Sequence, residues 1–214
     1  MLTAAPFAAQ PNDREGVSMK EDILEQIVEE YLTHQGYFVR HNVKFKPAPG
    51  DDGFETHLHS NHSDIDVLAY HPTKTGSDKV LAVSCKSWQG GFNPKTILHA
   101  ISHQKKIGGR LAHLSFRELT IPIWSEAFRR TVRTETGQDQ FTYVTAVSRI
   151  KGSRECWENN PQFRYAMRDN PIRLLGFDEM IETIEPKLTT TLASTEIGRV
   201  IQIIRAAGLR IVPR

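Results

Sequence analysis

Two short apolar runs with ionisable residues set inside them constrain this chain most: SDIDVLAY at 63–70 and VLAVSCKSW at 80–88. Runs of this length, rich in Val, Leu and Ile, predict buried strands. The turn-forming stretch PTKTGSD at 72–78 makes them neighbours. Yet the first run carries Asp64 and Asp66, and the second ends on Ser84 and Lys86. A carboxylate or an ammonium seldom sits on a buried strand without a partner. Alternation puts Asp64 and Asp66 on one face of the first strand, and Ser84 and Lys86 on one face of the second. Pairing the strands brings two carboxylates and a lysine together, the arrangement of a divalent-metal site beside a phosphate.

Residues 18–36 predict a helix, with Ser18 and Glu21 as a capping box and Gly36 as terminator. At about 100° per residue, Ile23, Leu24, Ile27, Val28, Tyr31 and Leu32 form one apolar face. Glu25 lies about 20° beyond the edge of that face, at the rim of the packed helix, from where it can reach into the site. Glu29 lies further round toward solvent.

This order of residues, Glu25, Val28, Tyr31, Leu32, Gly36 and Tyr37, then IDVLA, then a strand ending in lysine, resembles the core of the PD-(D/E)xK nuclease superfamily. The nearest likeness is to its Mrr-like and Holliday-junction-resolvase-like branches, over residues 18–108. The resemblance implies an α/β fold of restriction-endonuclease type, a mixed central sheet flanked by helices. It also implies Mg²⁺- or Mn²⁺-dependent hydrolysis of DNA phosphodiesters in repair, recombination or restriction. By position, Asp66 matches the family's metal-binding aspartate, Lys86 its lysine and Glu25 its first-helix acid. The main-chain carbonyl of Cys85 is a ligand that the family implies.

The chemistry is coherent on general grounds. A hard divalent ion needs one or two carboxylates plus neutral oxygens, and it activates water and stabilises charge on phosphoryl oxygens. The departure from the family is Ser84, where Asp or Glu is usual. A serine leaves the site one negative charge short. Asp64, about 7 Å along the same face, is the candidate to compensate. A nuclease fold that binds nucleic acid without cutting it is the alternative that Ser84 keeps open.

Taken singly, these residues have plainer readings: solvated acids at a strand entry, a lysine snorkelling from a strand end, an exposed helix glutamate. Only their order supports the joint reading. A different chemistry is suggested by HLHSNH at 57–62, close to the HxHxDH zinc motif of metallo-β-lactamase-like hydrolases, with His57, His59 and His62 as ligands. Its context is wrong for that motif, since a loop precedes it and a strand follows. The histidines read better as solvated loop residues beside the nuclease site.

Charge is divided along the chain. Residues 1–86 hold 8 Lys and Arg against 13 Asp and Glu, whereas 87–214 hold 19 against 12. Within the basic part, Lys105, Lys106, Arg129, Arg130 and Arg133 are candidates for contacting DNA phosphates. No base-reading motif accompanies them. No apolar stretch approaches the roughly 20 residues of a membrane span. Cys85 and Cys156 suggest no disulfide framework, and together these features predict a cytoplasmic protein.

The remaining pattern predicts helices at 93–108, 121–137 and 178–188 and strands at 141–150 and 172–177. The expected organisation is a leader without structure over 1–17, a nuclease domain over 18–186 and a C-terminal helical extension over 187–214. The amphipathic helix at 194–209 packs on its own domain or forms a homodimer face.

Overall fold

The structure, a computed structural model, describes residues 23–189 and 191–209. The expected capping box at Ser18 and Glu21 and the expected leader lie outside the described residues. The elements are helix α1 (Ile23–Thr33), strand β1 (Phe38–Phe45), helix α2 (Thr56–His59), strands β2 (Ser63–Tyr70) and β3 (Val80–Lys86), and helix α3 (Pro94–Ser102). A small hairpin, β4 (Lys106–Ile107) and β5 (Arg110–Leu111), leads to helices α4 (Arg117–Thr120) and α5 (Pro122–Thr136). Then come β6 (Thr142–Val147), α6 (Glu155–Glu158), α7 (Pro161–Ala166), β7 (Ile172–Gly176), α8 (Phe177–Ile184) and α9 (Glu196–Ala206).

The main sheet has the order β1-β2-β3-β6-β7. The first three strands form an antiparallel meander, and β3, β6 and β7 run parallel. Parallel strands covered on both faces carry unbroken apolar runs. Every residue of β6 is buried, as are the first five of β3. The expected α/β class, with a mixed central sheet flanked by helices and a C-terminal helix, is the observed one.

One layer covers the sheet with α1, α8 and α9, packing Ile27, Val28, Leu32, Met180, Ile184 and Ile201 on Val67, Ala69, Leu81, Val83 and Val144. The other layer contributes Ile97, Phe116, Leu119, Trp124, Phe128, Trp157 and Phe163, which pack on Leu68, Val80, Ala82, Tyr143 and Leu174. Alternation along the strands separates the two sets.

Several boundaries differ from the sequence reading. The helix expected through residue 108 stops at Ser102, because Gln104 takes a left-handed backbone and the Lys105 amide bonds back to the Ala100 carbonyl. Gly108 and Gly109, both at positive φ, then turn the hairpin. The strand expected over 141–150 ends at Val147, and Ile150 forms only an isolated bridge with Phe92. The strand expected to 88 ends at Lys86, and the helix expected over 178–188 runs from Phe177 to Ile184. The C-terminal helix α9 packs on α1, with Ile201 in the same core layer. Among the described residues, no helix is long and apolar enough to cross a membrane.

Candidate active site

Strands β2 and β3 pair from Tyr70↔Val80 to Val67↔Val83, and there the ladder stops. Beyond it the Cys85 amide donates to Asp66 Oδ2 at 2.5 Å. A side-chain oxygen thus satisfies an amide where a strand carbonyl would otherwise stand. On the partner side of the fork, Asn42 of β1 takes a left-handed φ of 53°. Ile65 is buried with Val43 and Phe45 in one layer, and Val67 in the other. The strict alternation expected along β2 therefore breaks at Asp66. Asp64 ends exposed, in register with Lys44 of β1.

On β3, Ser84 is buried and Lys86 half-buried, and Lys86 Nζ donates to Ser84 Oγ at 2.8 Å. The same ammonium stands 5.5 Å from the centroid of the Phe116 ring, which holds its aliphatic stem in an apolar wall. In the parallel register Ser84 lies beside Thr145, and Ala82 beside Tyr143. Thr145 Oγ1 accepts from the Trp157 indole at 3.1 Å. Tyr143, fully buried, donates to Glu118 Oε1 at 2.6 Å, and Ser84 also acts on its hydroxyl. Burial above all, then the Glu118 charge, pushes the Tyr143 hydroxyl well above its ordinary pKa, so it stays a donor.

Asp66 is the electrostatic centre of this group. Burial raises its pKa; Lys86 and the Cys85 amide act against that, while Glu118 and Asp64 add to it as like charges. The net direction is upward. Asp66, half-buried beside Lys86 and crowded by the like charges of Glu118 and Asp64, is disposed to accept a cation. Among the described residues, no three of His, Cys, Asp and Glu form a ready-made metal cage. A hard ion that keeps most of its waters needs only one or two carboxylates, so this donor chemistry fits Mg²⁺ or Mn²⁺.

Other sequence-derived candidates stand on α1, β3, the hairpin and α5. Glu25 lies half-buried on α1, whose core contacts are with the layer across the sheet from Ser84 and Lys86. Cys85 is a free cysteine, packed at the edge of that same layer. Lys105 and Lys106 are exposed at the β4–β5 hairpin, whose chain returns through Phe116 to Glu118. Arg129, Arg130 and Arg133 line the opposite edge of the sheet, beside Gly76, Ser77, Gln140 and Pro171 at the entries to β3, β6 and β7. They are also engaged: Arg130 forms a two-pronged pair with Asp51 at 2.8 and 2.9 Å, Arg129 holds Glu126 and the Ala166 carbonyl, and Arg133 faces Asp139 at 3.6 Å. Lys105 and Lys106 are not among the residues that line the cavity with them.

The three histidines of HLHSNH are not assembled as a ligand set among the described residues. His59 is buried against Phe54 and Trp124, and its Nδ1 accepts the Glu55 amide at 2.9 Å, which makes it the anchor of α2. His57 is exposed, 3.5 Å from Glu55.

Glu118 and Tyr143 belong to the site and were not visible as such in the sequence. Tyr143 hides in a strand that reads as plain core. Glu118 did leave a mark: it is the only acid between Asp78 and Glu126. A comparison of the chain with protein-family models, curated proteins and solved structures finds no match.

Proposed function

We propose that this chain is a Mg²⁺- or Mn²⁺-dependent deoxyribonuclease with a restriction-endonuclease-like core of the PD-(D/E)xK kind. The observation that carries the reading is the fork between β2 and β3, where Asp66 caps the Cys85 amide while Lys86 leaves the same edge of the sheet. The order of helix, antiparallel meander, helix and parallel strand is the one that reading expects.

Asp66 would hold the ion together with the main-chain carbonyl of Cys85, with Asp64 near enough to add charge. Glu25, on α1, is the further acid that this reading assigns to the ion. When bound, the ion supplies positive charge for the phosphoryl oxygens and acidity for the attacking water. Lys86 holds a positive charge at a fixed place, set by Ser84 Oγ and the Phe116 ring, from where it orients the nucleophile and steadies the developing negative charge. The bond between Asp66 and the Cys85 amide prevents the carboxylate from turning away.

A plasmid-nicking assay with Mg²⁺, Mn²⁺ or EDTA tests this. Asp66→Ala should abolish metal-dependent cleavage in a folded protein, and Lys86→Ala should depress turnover with little change in metal affinity. Undiminished nicking by the Asp66 variant would sink the assignment. The second reading, a protein that binds DNA without cutting it, draws support from one observation: Lys86 is held by a serine and not by a carboxylate. It expects DNA binding unaffected by EDTA and no cleavage with either metal.

A further inference from the structure

We propose that Glu118 is the second carboxylate of this site, supplied from α4 in place of the acid that β3 lacks at Ser84. The inference rests on the metal-dependent reading above and names a ligand that it left open.

Four observations carry it. Glu118 is 5 % exposed, so its charge is almost wholly removed from water. Its one hydrogen-bond donor among the described residues is the Tyr143 hydroxyl, and no cationic side chain among them forms an ion pair with it. Arg117, its neighbour in the chain, stacks its guanidinium over the Trp124 ring, 4.6 Å from the centroid. Buried carboxylates of this kind are compensated by a cation or a full set of donors, and one neutral hydroxyl is neither.

The position is equally specific. The Tyr143 hydroxyl bonded to Glu118 also feels Ser84, whose Oγ receives Lys86. Glu118 thus enters the site beside the serine that occupies the vacated acid position on β3. It acts on Asp66 as a like charge, so the buried Glu118 and the half-buried Asp66 crowd negative charge beside Lys86, while Arg117 feels the Glu118 charge without forming an ion pair with it. A divalent ion would relieve that crowding. The 3-10 turn Ala112–Phe116 that delivers Glu118 also delivers the Phe116 ring to Lys86, so one segment builds both halves of the pocket.

The test is Mn²⁺ binding by the full chain, read by electron paramagnetic resonance, beside thermal unfolding. Glu118→Gln keeps an oxygen for Tyr143 and removes only the charge. It should weaken Mn²⁺ at least about tenfold, since even outer partners of a metal site cost that much. Ser84→Glu in the same chain should restore binding by returning the charge to β3. Tyr143→Phe, which removes an outer partner of the carboxylate and not its charge, should weaken Mn²⁺ less than Glu118→Gln does. If Glu118→Gln does not fold, Ser84→Glu alone decides. A gain below about threefold agrees with a charge already present, and a gain above about tenfold shows that it was missing and overturns the proposal. Native Mn²⁺ affinity in folded Glu118→Gln, with Asp66→Asn still defective, overturns Glu118 alone. A native chain that binds no Mn²⁺ sinks both this proposal and the metal-dependent reading beneath it.

Discussion

Glu30, in the middle of α1, has no exposed surface, yet its carboxylate is fully provided for. It accepts from the amide and hydroxyl of Ser194, both at 3.1 Å, and from the amide and hydroxyl of Thr195, both at 2.8 Å. Burial alone would push this carboxyl up, but the donors from Thr195 and Ser194 outweigh it, and its pKa lies below the ordinary 4.5. A carboxyl whose folded pKa is depressed stabilises the fold above its unfolded value, and that contribution is lost as pH falls through the lowered folded value. Replacing Glu30 with Ala leaves the two buried donors of Thr195 without an acceptor and frees those of the exposed Ser194, and should cost about 2–4 kcal/mol at neutral pH. Urea unfolding checks it. The native chain should also lose stability more steeply than the Ala variant on going from about pH 5 to pH 3. An unchanged midpoint would show that this carboxylate does not hold the C-terminal segment. Glu118 offers the contrast: a similarly buried acid with one donor, at the site and not in the frame.

The attachment of α9 shows how an element acquires its place from a few atoms. Thr195 caps the helix by accepting the Gly198 amide at 3.0 Å while its own hydroxyl donates to Glu30. Gly198 is there because the helix backbone runs against that carboxylate: a Cβ at this position would meet Glu30 Oε2 and stand 2.8 Å from Ala193 Cβ. Gly to Ala inside a helix ordinarily stabilises by about 1 kcal/mol. Here Gly198→Ala should destabilise by about 1–3 kcal/mol, since the carboxylate is pinned by its four donors and cannot yield. Thermal denaturation gives the sign directly, and a raised melting temperature would refute the close packing of α9 on α1. The β4–β5 hairpin shows the reverse case. Local backbone preference decided it, through left-handed Gln104 and the Gly108 and Gly109 turn, against an apolar pattern that reads as one continuing helix.

Across the whole molecule, the two edges of the sheet differ. The edge where β3 and β6 end carries Lys86, and the basic hairpin with Lys105, Lys106 and Arg110 leads into it; the edge where they begin carries Arg129, Arg130 and Arg133 in ion pairs. Under the nuclease reading, DNA affinity should fall with salt at a log-log slope of about −0.9 per phosphate contacted. Replacing Lys105, Lys106 and Arg110 with Ala should make that slope shallower by up to about 3 units, by the same rule. Replacing Arg130 should instead cost stability, through Asp51, and leave the slope nearly as it was. Filter binding from low to high salt separates the two, and an affinity indifferent to salt would remove DNA as the partner. The strands β2, β3 and β6, the packed face of α1 and the pairing of β2 with β3 were legible in the sequence. Each depends on side-chain periodicity over a few residues and on a short turn. The break in alternation at Asp66, the entry of Glu118 and Tyr143 into the site, the burial of Glu30 and the separation of the arginines from Lys86 were not. They depend on contacts between residues as much as 165 positions apart, such as Thr195 with Glu30. What a buried carboxylate means depends on which donors the fold brings to it, and only the assembled chain determines that.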